Sequence, residues 1–401
     1  MGNILKNIRG DKVIWIVVVI LSIFSLLSVY SSTGTLAYKY QQGNTEYYMF
    51  KHFGILVFGF FLMYLAHMVK YTYYSRISQI AILIAIPLLL FTMATGTNIN
   101  EANRWLTLPI VNLTFQTSDF AKIALIMFVA RLLAVKQDKI KEFKTAFLPI
   151  IAIVSVVCGL ILPANFSTAA ILFATSVILM FIGRINLKYI FSLIGIGVVG
   201  IILFLILIYN YPQVGRFGTW KNRIENFKNG EGDANYQADQ AKIAIASGEL
   251  IGKFPGNSTQ RNFLPHPYSD FIYAIILEEY GLLGGVFILL LYLILLYRGM
   301  RIASRSPGSF AAFLTIGVCL ILVFQAVINM AVAVGIFPVT GQPLPLVSMG
   351  GTSIWFTSIA IGIMLSVSAE TEAEETEKTD KPKVGNTISK EVETIVNPVT
   401  N

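Results

Sequence analysis

The 401-residue chain is 55% apolar and only 13% charged, with mean hydropathy +0.68 and a formal charge of +8. Ordinary globular domains carry about 25% charged residues, so these values exclude a water-soluble fold, and the basic surplus reports orientation rather than nucleic-acid binding. Cys158 and Cys319 both fall inside apolar blocks, as small buried hydrophobes do, which argues against a disulfide or a metal pair.

Apolar blocks run approximately over residues 13–32, 50–68, 77–95, 120–135, 146–163, 167–183, 189–209, 269–297, 308–334 and 351–368. A helix of about 20 residues crosses the ~30 Å hydrocarbon core, so the pattern predicts an all-α, polytopic membrane helix bundle of about ten transmembrane helices. The first block follows Lys6, Arg9 and Lys12 and is too long for a signal-peptide core, which reads as a retained anchor. With the N-terminus inside, inward segments hold eighteen basic residues, from Lys6 through Arg305 to the tail lysines, whereas the short outward loops hold only Lys39, Lys51 and Arg104. Both termini are therefore expected in the cytoplasm. The expected organisation is a membrane domain over residues 1–368, with a large outer loop at 210–268, followed by a disordered cytoplasmic tail at 369–401 that is rich in Glu, Thr and Lys.

Three outward stretches depart from a plain bundle, since Gly- and Pro-rich backbone near a membrane must be buried in protein or line a wet cavity. They are NRWLTLPIVNLTFQTSDFAK (103–122), GELIGKFPGNSTQRNFLPHPYSDF (248–271) and GIFPVTGQPLPLVSMGGTS (335–353). Asp270 opens the eighth span, either as an N-cap or as a functional acid. Glu278 and Glu279 lie two turns deeper and are expected to pair with Lys or Arg of neighbouring helices. Asp119 and Lys122, three apart on one face, form a local ion pair, unless Lys122 turns into a cavity to meet a phosphate. Arg104 beside Trp105 is an interfacial anchor or a clamp on an anionic headgroup. With no Walker loop, HExxH or CxxC present, ATP-driven and zinc chemistry have no support.

Together these stretches resemble the SEDS family of membrane peptidoglycan polymerases, the group containing FtsW and RodA. The likeness covers the chain from the first span to Ser368. Its strongest piece is Pro265, Asp270, Phe271, Glu278, Glu279 and Gly281. A second is Pro338, Gly341, Leu344, Pro345, Ser348, Gly350, Gly351, Thr352 and Ser353. A third is Arg104, Trp105, Gln116, Ser118, Asp119 and Lys122, in which Thr117 and Asp119 stand where the family pattern has Pro and Glu. Asn165 occupies the place of an Asp in the family's Pro-Asp-Leu-Gly-Thr, and His266 that of a Glu. The runs GEL at 248 and GNSTQR at 256 look more like FtsW, the division member, than RodA, the elongation member.

The resemblance implies polymerisation of lipid II, in which a GlcNAc 4-hydroxyl attacks the anomeric carbon of a growing glycan and undecaprenyl diphosphate leaves with inversion. It implies Asp270 as general base, with Lys122 and Arg104, and more weakly Arg223 of the outer loop, at the diphosphate. Trp105, Asp119, Ser348, Gly350 and Gly351 complete the implied substrate site. No cofactor or dedicated metal site is implied, although a divalent cation could share the diphosphate. The implied partners are the nascent glycan strand, a class B penicillin-binding transpeptidase and other division proteins of the inner membrane, not nucleic acid. A lipid II flippase or a noncatalytic division scaffold are the rival expectations.

Overall fold

The computed structural model describes residues 9–99, 102–108, 113–214, 217–229 and 233–380. In chain order, α1 (Lys12–Ser32), α2 (Gly34–Tyr40), α3 (Thr45–Met68) and α4 (Tyr71–Thr95) lead into three short strands, β1 (Thr97–Ile99), β2 (Ala102–Leu108) and β3 (Leu113–Gln116). There follow α5 (Thr117–Val135), α6 (Leu148–Ile161), α7 (Phe166–Ile182), α8 (Leu187–Asn210), α9 (Phe217–Asn229) and α10 (Asp233–Gly248). The chain closes with α11 (Ile272–Arg305), α12 (Ser309–Ala333) and α13 (Thr352–Asp380). The strands form an antiparallel meander in the order β1-β2-β3, a small cap between α4 and α5.

Among the described residues, eight helices are long and apolar enough to cross a membrane, α6 being counted together with the π-helical turn Phe143–Phe147 that leads into it. Two more complete the ten of the bundle. α7 has 17 residues, roughly 26 Å at 1.5 Å per residue, and α5 carries Asp119, Lys122 and Arg131 within its span. The α5 charges are tolerated because they face protein: Lys122 meets Asp119 at 2.8 Å, and Arg131 donates to the Ser75 carbonyl of α4 at 3.1 Å.

α12 is the hub. Of its apolar window 78% is enclosed by protein, against 6% for α8. Small residues allow this packing: a Cβ at Gly317 would crowd the Ile126 and Leu179 side chains. α8 is apolar all round and faces lipid. Its Gly195, Gly197 and Gly200 have the spacing of a dinucleotide-binding fingerprint, yet they lie mid-helix with open space around them rather than in a strand-to-helix turn.

One end of the bundle is tied by Asp11. Its side chain caps α1 through Val13 N at 2.9 Å and Ile14 N at 3.2 Å, pairs with Arg298 of α11, and its amide donates to Ser368 Oγ of α13 at 2.9 Å. The strand meander and the Asp270 turn lie at the other end.

α11 breaks at Gly281, whose φ of 67° and ψ of −171° suit glycine alone. The freed amides are not left bare: Leu282 N donates to Glu249 O at 3.0 Å and Leu283 N to Leu250 O at 3.2 Å, while Lys253 N reaches Glu278 O at 3.0 Å. So close an approach requires missing side chains, since a Cβ on Gly248 would overlap the Leu277 carbonyl and one on Gly252 the Glu279 carbonyl.

The outer loop contains α9 and α10. Two expectations change. Glu278 does pair with a lysine, but with Lys253 of the loop at 2.8 Å, and it also accepts from Thr259 N at 3.0 Å and Thr259 Oγ1 at 2.9 Å. Glu279 accepts from Ser31 Oγ of α1 and from Gly256 N at 3.1 Å. The two acids thus hold a loop that folds back over the helix break, a contact that helical spacing does not reveal. Finally, α13 continues past residue 369 to Asp380. Packing overrides polar composition there: Glu370 Oε1 accepts from Tyr71 N at 3.2 Å and Thr371 is buried. Residues 381–401 of the expected tail lie outside the described residues.

Gly248→Ala is expected to destabilise the protein by about 2–4 kcal/mol, because the clash is with backbone that cannot rotate away. The check is apparent Tm in detergent; an unchanged Tm would mean that the loop does not pack into the break.

Candidate active site

The site is built around the turn before α11 and the irregular segment 335–351. The N-cap position of α11 is Phe271, one residue after Asp270. Asp270 Oδ1 accepts from Ser269 Oγ at 3.0 Å, and its Oδ2 lies over Gly341, where a Cβ would stand 3.5 Å away. Gly341 has φ +66°, so substitution there would meet strain in addition to the carboxylate. The carboxylate is half-exposed. Beside it the Tyr268 hydroxyl is pushed above its ordinary pKa, first by burial and then by the negative charge of Asp270. His266 Nδ1 shares a hydrogen bond with that hydroxyl at 3.2 Å.

Segment 335–351 is irregular backbone packed among the membrane helices, and the bundle satisfies it one group at a time. Asn329 Nδ2 donates to Gln342 O at 2.7 Å, Gln325 Nε2 to Pro343 O at 2.9 Å, Tyr292 Oη to Pro345 O, and Ser25 Oγ to Val347 O at 2.8 Å. The segment in turn fixes the Asp270 turn. Ser348 Oγ donates to Ser269 O at 2.6 Å while accepting from Leu344 N at 2.8 Å, Met349 N donates to Tyr268 O at 2.8 Å, and Asn329 Nδ2 donates to Asp270 O at 2.9 Å.

The expected site residues divide on this geometry. Asp270 and Ser348 come together, with Gly341 beside them, but Ser348 is buried with its hydroxyl committed to backbone, so it holds the turn rather than presenting itself to a substrate. Lys122 is paired with Asp119 Oδ1 and donates to Gln325 Oε1 at 3.0 Å. The space beside this pair is narrow, about 20 Å³, and in this structure Lys122 is held in the local ion pair. Gly350 and Gly351 form the turn into α13, with Ser353 N donating to Gly350 O at 2.9 Å. Trp105 is half-buried in β2, opposite Thr97 and Gln116. Arg104 has its backbone in β2 and Arg223 in α9, and their side chains lie outside the described part of the structure. Among the described residues, no group of three or more His, Cys, Asp or Glu gathers to hold a metal ion.

Sequence reasoning missed Gln325, Asn329 and Gln342 and gave Asn165 no role of its own, yet these are the polar side chains that bind the pieces together. A signal existed in Gln325 and Asn329, two amides four apart in an otherwise apolar block and hence on one helix face. Asn165 caps α7 through Thr168 N at 3.2 Å and also accepts from Gln342 Nε2 at 3.2 Å. Next to it opens an apolar cavity of about 530 Å³ between α7, α8, α9, α12 and residues 337–340, with Phe204, Trp220, Phe324 and Phe337 in its walls.

This arrangement can be compared with known proteins. The family described as FTSW_RODA_SPOVE, "Cell cycle protein", matches residues 11–373. The chain belongs to the FtsW/RodA/SpoVE family. A Geobacter sulfurreducens protein named "Probable peptidoglycan glycosyltransferase FtsW" is 33% identical over 375 residues, covering 91% of this chain and 97% of the relative. The Bacillus subtilis "Stage V sporulation protein E" is 30% identical over 368 residues, covering 90% and 98%. Among solved structures, a chain from "Structural coordination of polymerization and crosslinking by a peptidoglycan synthase complex" aligns with TM-score 0.73 at 22% identity, over 90% of this chain and 98% of that one. Thermus thermophilus RodA aligns with TM-score 0.65 at 21% identity, over 90% and 97%. These two likenesses establish the fold. The family match extends beyond Ser368, in agreement with the extension of α13.

Breaking the Asp119–Lys122 pair by Asp119→Ala should cost about 1–3 kcal/mol, because it leaves the half-buried Lys122 ammonium with Gln325 as its remaining partner. The double change Asp119→Leu with Lys122→Met should cost clearly less than the two single changes summed. Thermal unfolding in detergent reads both, and additive losses would show that the two side chains do not interact.

Proposed function

We propose that this chain is an inner-membrane peptidoglycan glycosyltransferase that polymerises lipid II, with Asp270 as the base that takes the proton from the attacking GlcNAc 4-hydroxyl. The observation that carries the reading is the placement of Asp270: a half-exposed carboxylate, fixed by its neighbours' backbone bonds, at the end of the bundle away from Asp11 and Ser368. Membership of the family and the names of its relatives support the activity.

Chemically, the step needs a base, cations at the departing diphosphate and an apolar berth for a polyprenyl chain. Ser269 Oγ donates to Asp270 Oδ1 and Oδ2 lies over Gly341, and this carboxylate is the proposed proton acceptor. The apolar cavity beside Asn165 supplies the berth. Arg104 and Lys122 are the proposed diphosphate cations. Lys122 spends two of its three donors on Asp119 and Gln325, so it would reach a phosphate by exchanging one of them. A divalent cation, if used, would arrive with the diphosphate, because Asp119 is already paired.

The basic-residue bias and the meeting of Asp11, Arg298 and Ser368 at one end support cytoplasmic termini and an outward-facing Asp270. A class B penicillin-binding transpeptidase is the proposed partner, in keeping with a structural neighbour described as coordinating polymerization and crosslinking. Division rather than elongation is the proposed setting, in keeping with the FtsW relatives.

The test is glycan synthesis from radiolabelled lipid II by purified protein, with and without the transpeptidase, alongside a separate assay of lipid II translocation in liposomes. Asp270→Asn should fold normally yet lose at least about 10²-fold in rate, the lower range for a general base. Wild-type-like synthesis by that variant would remove Asp270 from the mechanism. Translocation without synthesis by the unaltered protein would favour a flippase.

A further inference from the structure

The wall of the apolar cavity and the Asp270 turn share one hydrogen-bonded chain. Two pieces of that wall, the first turn of α7 at residues 165–167 and the stretch 337–340, meet at Gln342. Gln342 Nε2 donates to Thr168 Oγ1 at 2.8 Å and to Asn165 Oδ1 at 3.2 Å. On its other side, Gln342 O accepts from Asn329 Nδ2 at 2.7 Å, and the same amide group holds Asp270 O at 2.9 Å. Gly341, the residue before Gln342, lies against Asp270 Oδ2. Asn165, Thr168, Gln342 and Asn329 are all buried, none above 5% exposed.

Buried polar chains of this kind hold geometry tightly when satisfied and are costly when disturbed. Segment 335–351 has no helical ladder of its own over most of its length, so its position depends on these side-chain bonds. A chain of methylenes entering the cavity presses on residues 337–340, and among the described residues a buried hydrogen-bonded path leads from there to the Asp270 turn through Gln342 and Asn329.

We infer that Gln342 is a positioning residue that couples occupancy of the apolar cavity by a polyprenyl chain to the placement of Asp270, so that fast turnover requires a substrate whose lipid fills the cavity. This rests on the proposal above that the chain acts on polyprenyl-linked sugars. It adds that the lipid acts as a specificity determinant as well as an anchor, and that the signal passes through Asn165, Thr168, Gln342 and Asn329.

The experiment uses the full chain in nanodiscs with two forms of lipid II, carrying 55-carbon and 20-carbon prenyl chains. For the unaltered protein, kcat on the long-chain donor should exceed that on the short-chain donor by about fivefold or more, within the usual range of couplings between sites. Gln342→Ala should bring that ratio close to one, and Thr168→Val, which keeps shape but loses the hydroxyl acceptor, should lower it in the same direction. Thr168→Ser should preserve it. Equal losses on both donors with the ratio kept would reduce Gln342 to an ordinary structural role and overturn the inference, as would an unaltered protein indifferent to chain length. Hydrogen exchange at the Ala274 and Ile275 amides, which donate to Phe271 O, gives a readout without catalysis. Undecaprenyl phosphate should slow it about fivefold in the unaltered protein and leave it unmoved in Thr168→Val. If no glycan is made but this protection appears, the polymerase proposal fails and the coupling stands; if lipid leaves exchange unchanged in the unaltered protein, the coupling fails.

Discussion

A peptide carbonyl in the interior of a membrane bundle has no water to turn to, and the structure depends on how that constraint is met between α12 and α13. Residues 335–351 abandon the helix, which would have satisfied every carbonyl locally. Four carbonyls are instead met by side chains from α1, α11 and α12: Ser25, Tyr292, Gln325 and Asn329. Each unsatisfied group would cost several kcal/mol in such surroundings. Those four side chains therefore specify the path of the segment closely, and the path specifies the site.

The Asp270 turn inherits this order. Bonds from Ser348, Met349 and Asn329 hold the carbonyls of Ser269, Tyr268 and Asp270 in sequence. The carboxylate thus needs no salt bridge with Lys122 to be placed, and Lys122 is spent elsewhere, on Asp119 and Gln325. A second device works from the other side. The break at Gly281 lets the loop around Gly248 and Gly252 pair with freed amides, while Glu278 and Glu279 anchor the loop above it. The helix that follows Asp270 is therefore locked to the outer loop at its break.

Much of this was legible in the residues themselves. Apolar runs of membrane length gave the bundle, and the clustering of Gly and Pro at 335–351 marked a segment that could not be a plain helix. Asp270 stood out as an acid at a span boundary. What stayed hidden shares a physical cause. Hydropathy and helical spacing describe one element at a time, whereas the roles of Gln342, Asn165 and Glu278 are set by partners many residues away. The same holds for the end of α13, where composition favours disorder but docking against Tyr71 and the start of α1 favours helix. Resemblance to a family supplied what spacing could not, namely which of several polar stretches belong together.

The serines of α1 bear on how such a chain is made. Ser22 and Ser32 bond back to carbonyls one turn earlier in their own helix, at 2.8 and 2.6 Å. Ser25 and Ser31 instead reach Val347 O and Glu279, partners translated more than two hundred residues later. A nascent first helix must therefore wait in the lipid with hydroxyls whose final acceptors do not yet exist. Folding back onto the local backbone, as Ser22 and Ser32 do permanently, gives Ser25 and Ser31 a temporary refuge during synthesis, and exchange of that refuge for the distant partner accompanies the docking of α1 against α11 and residues 335–351.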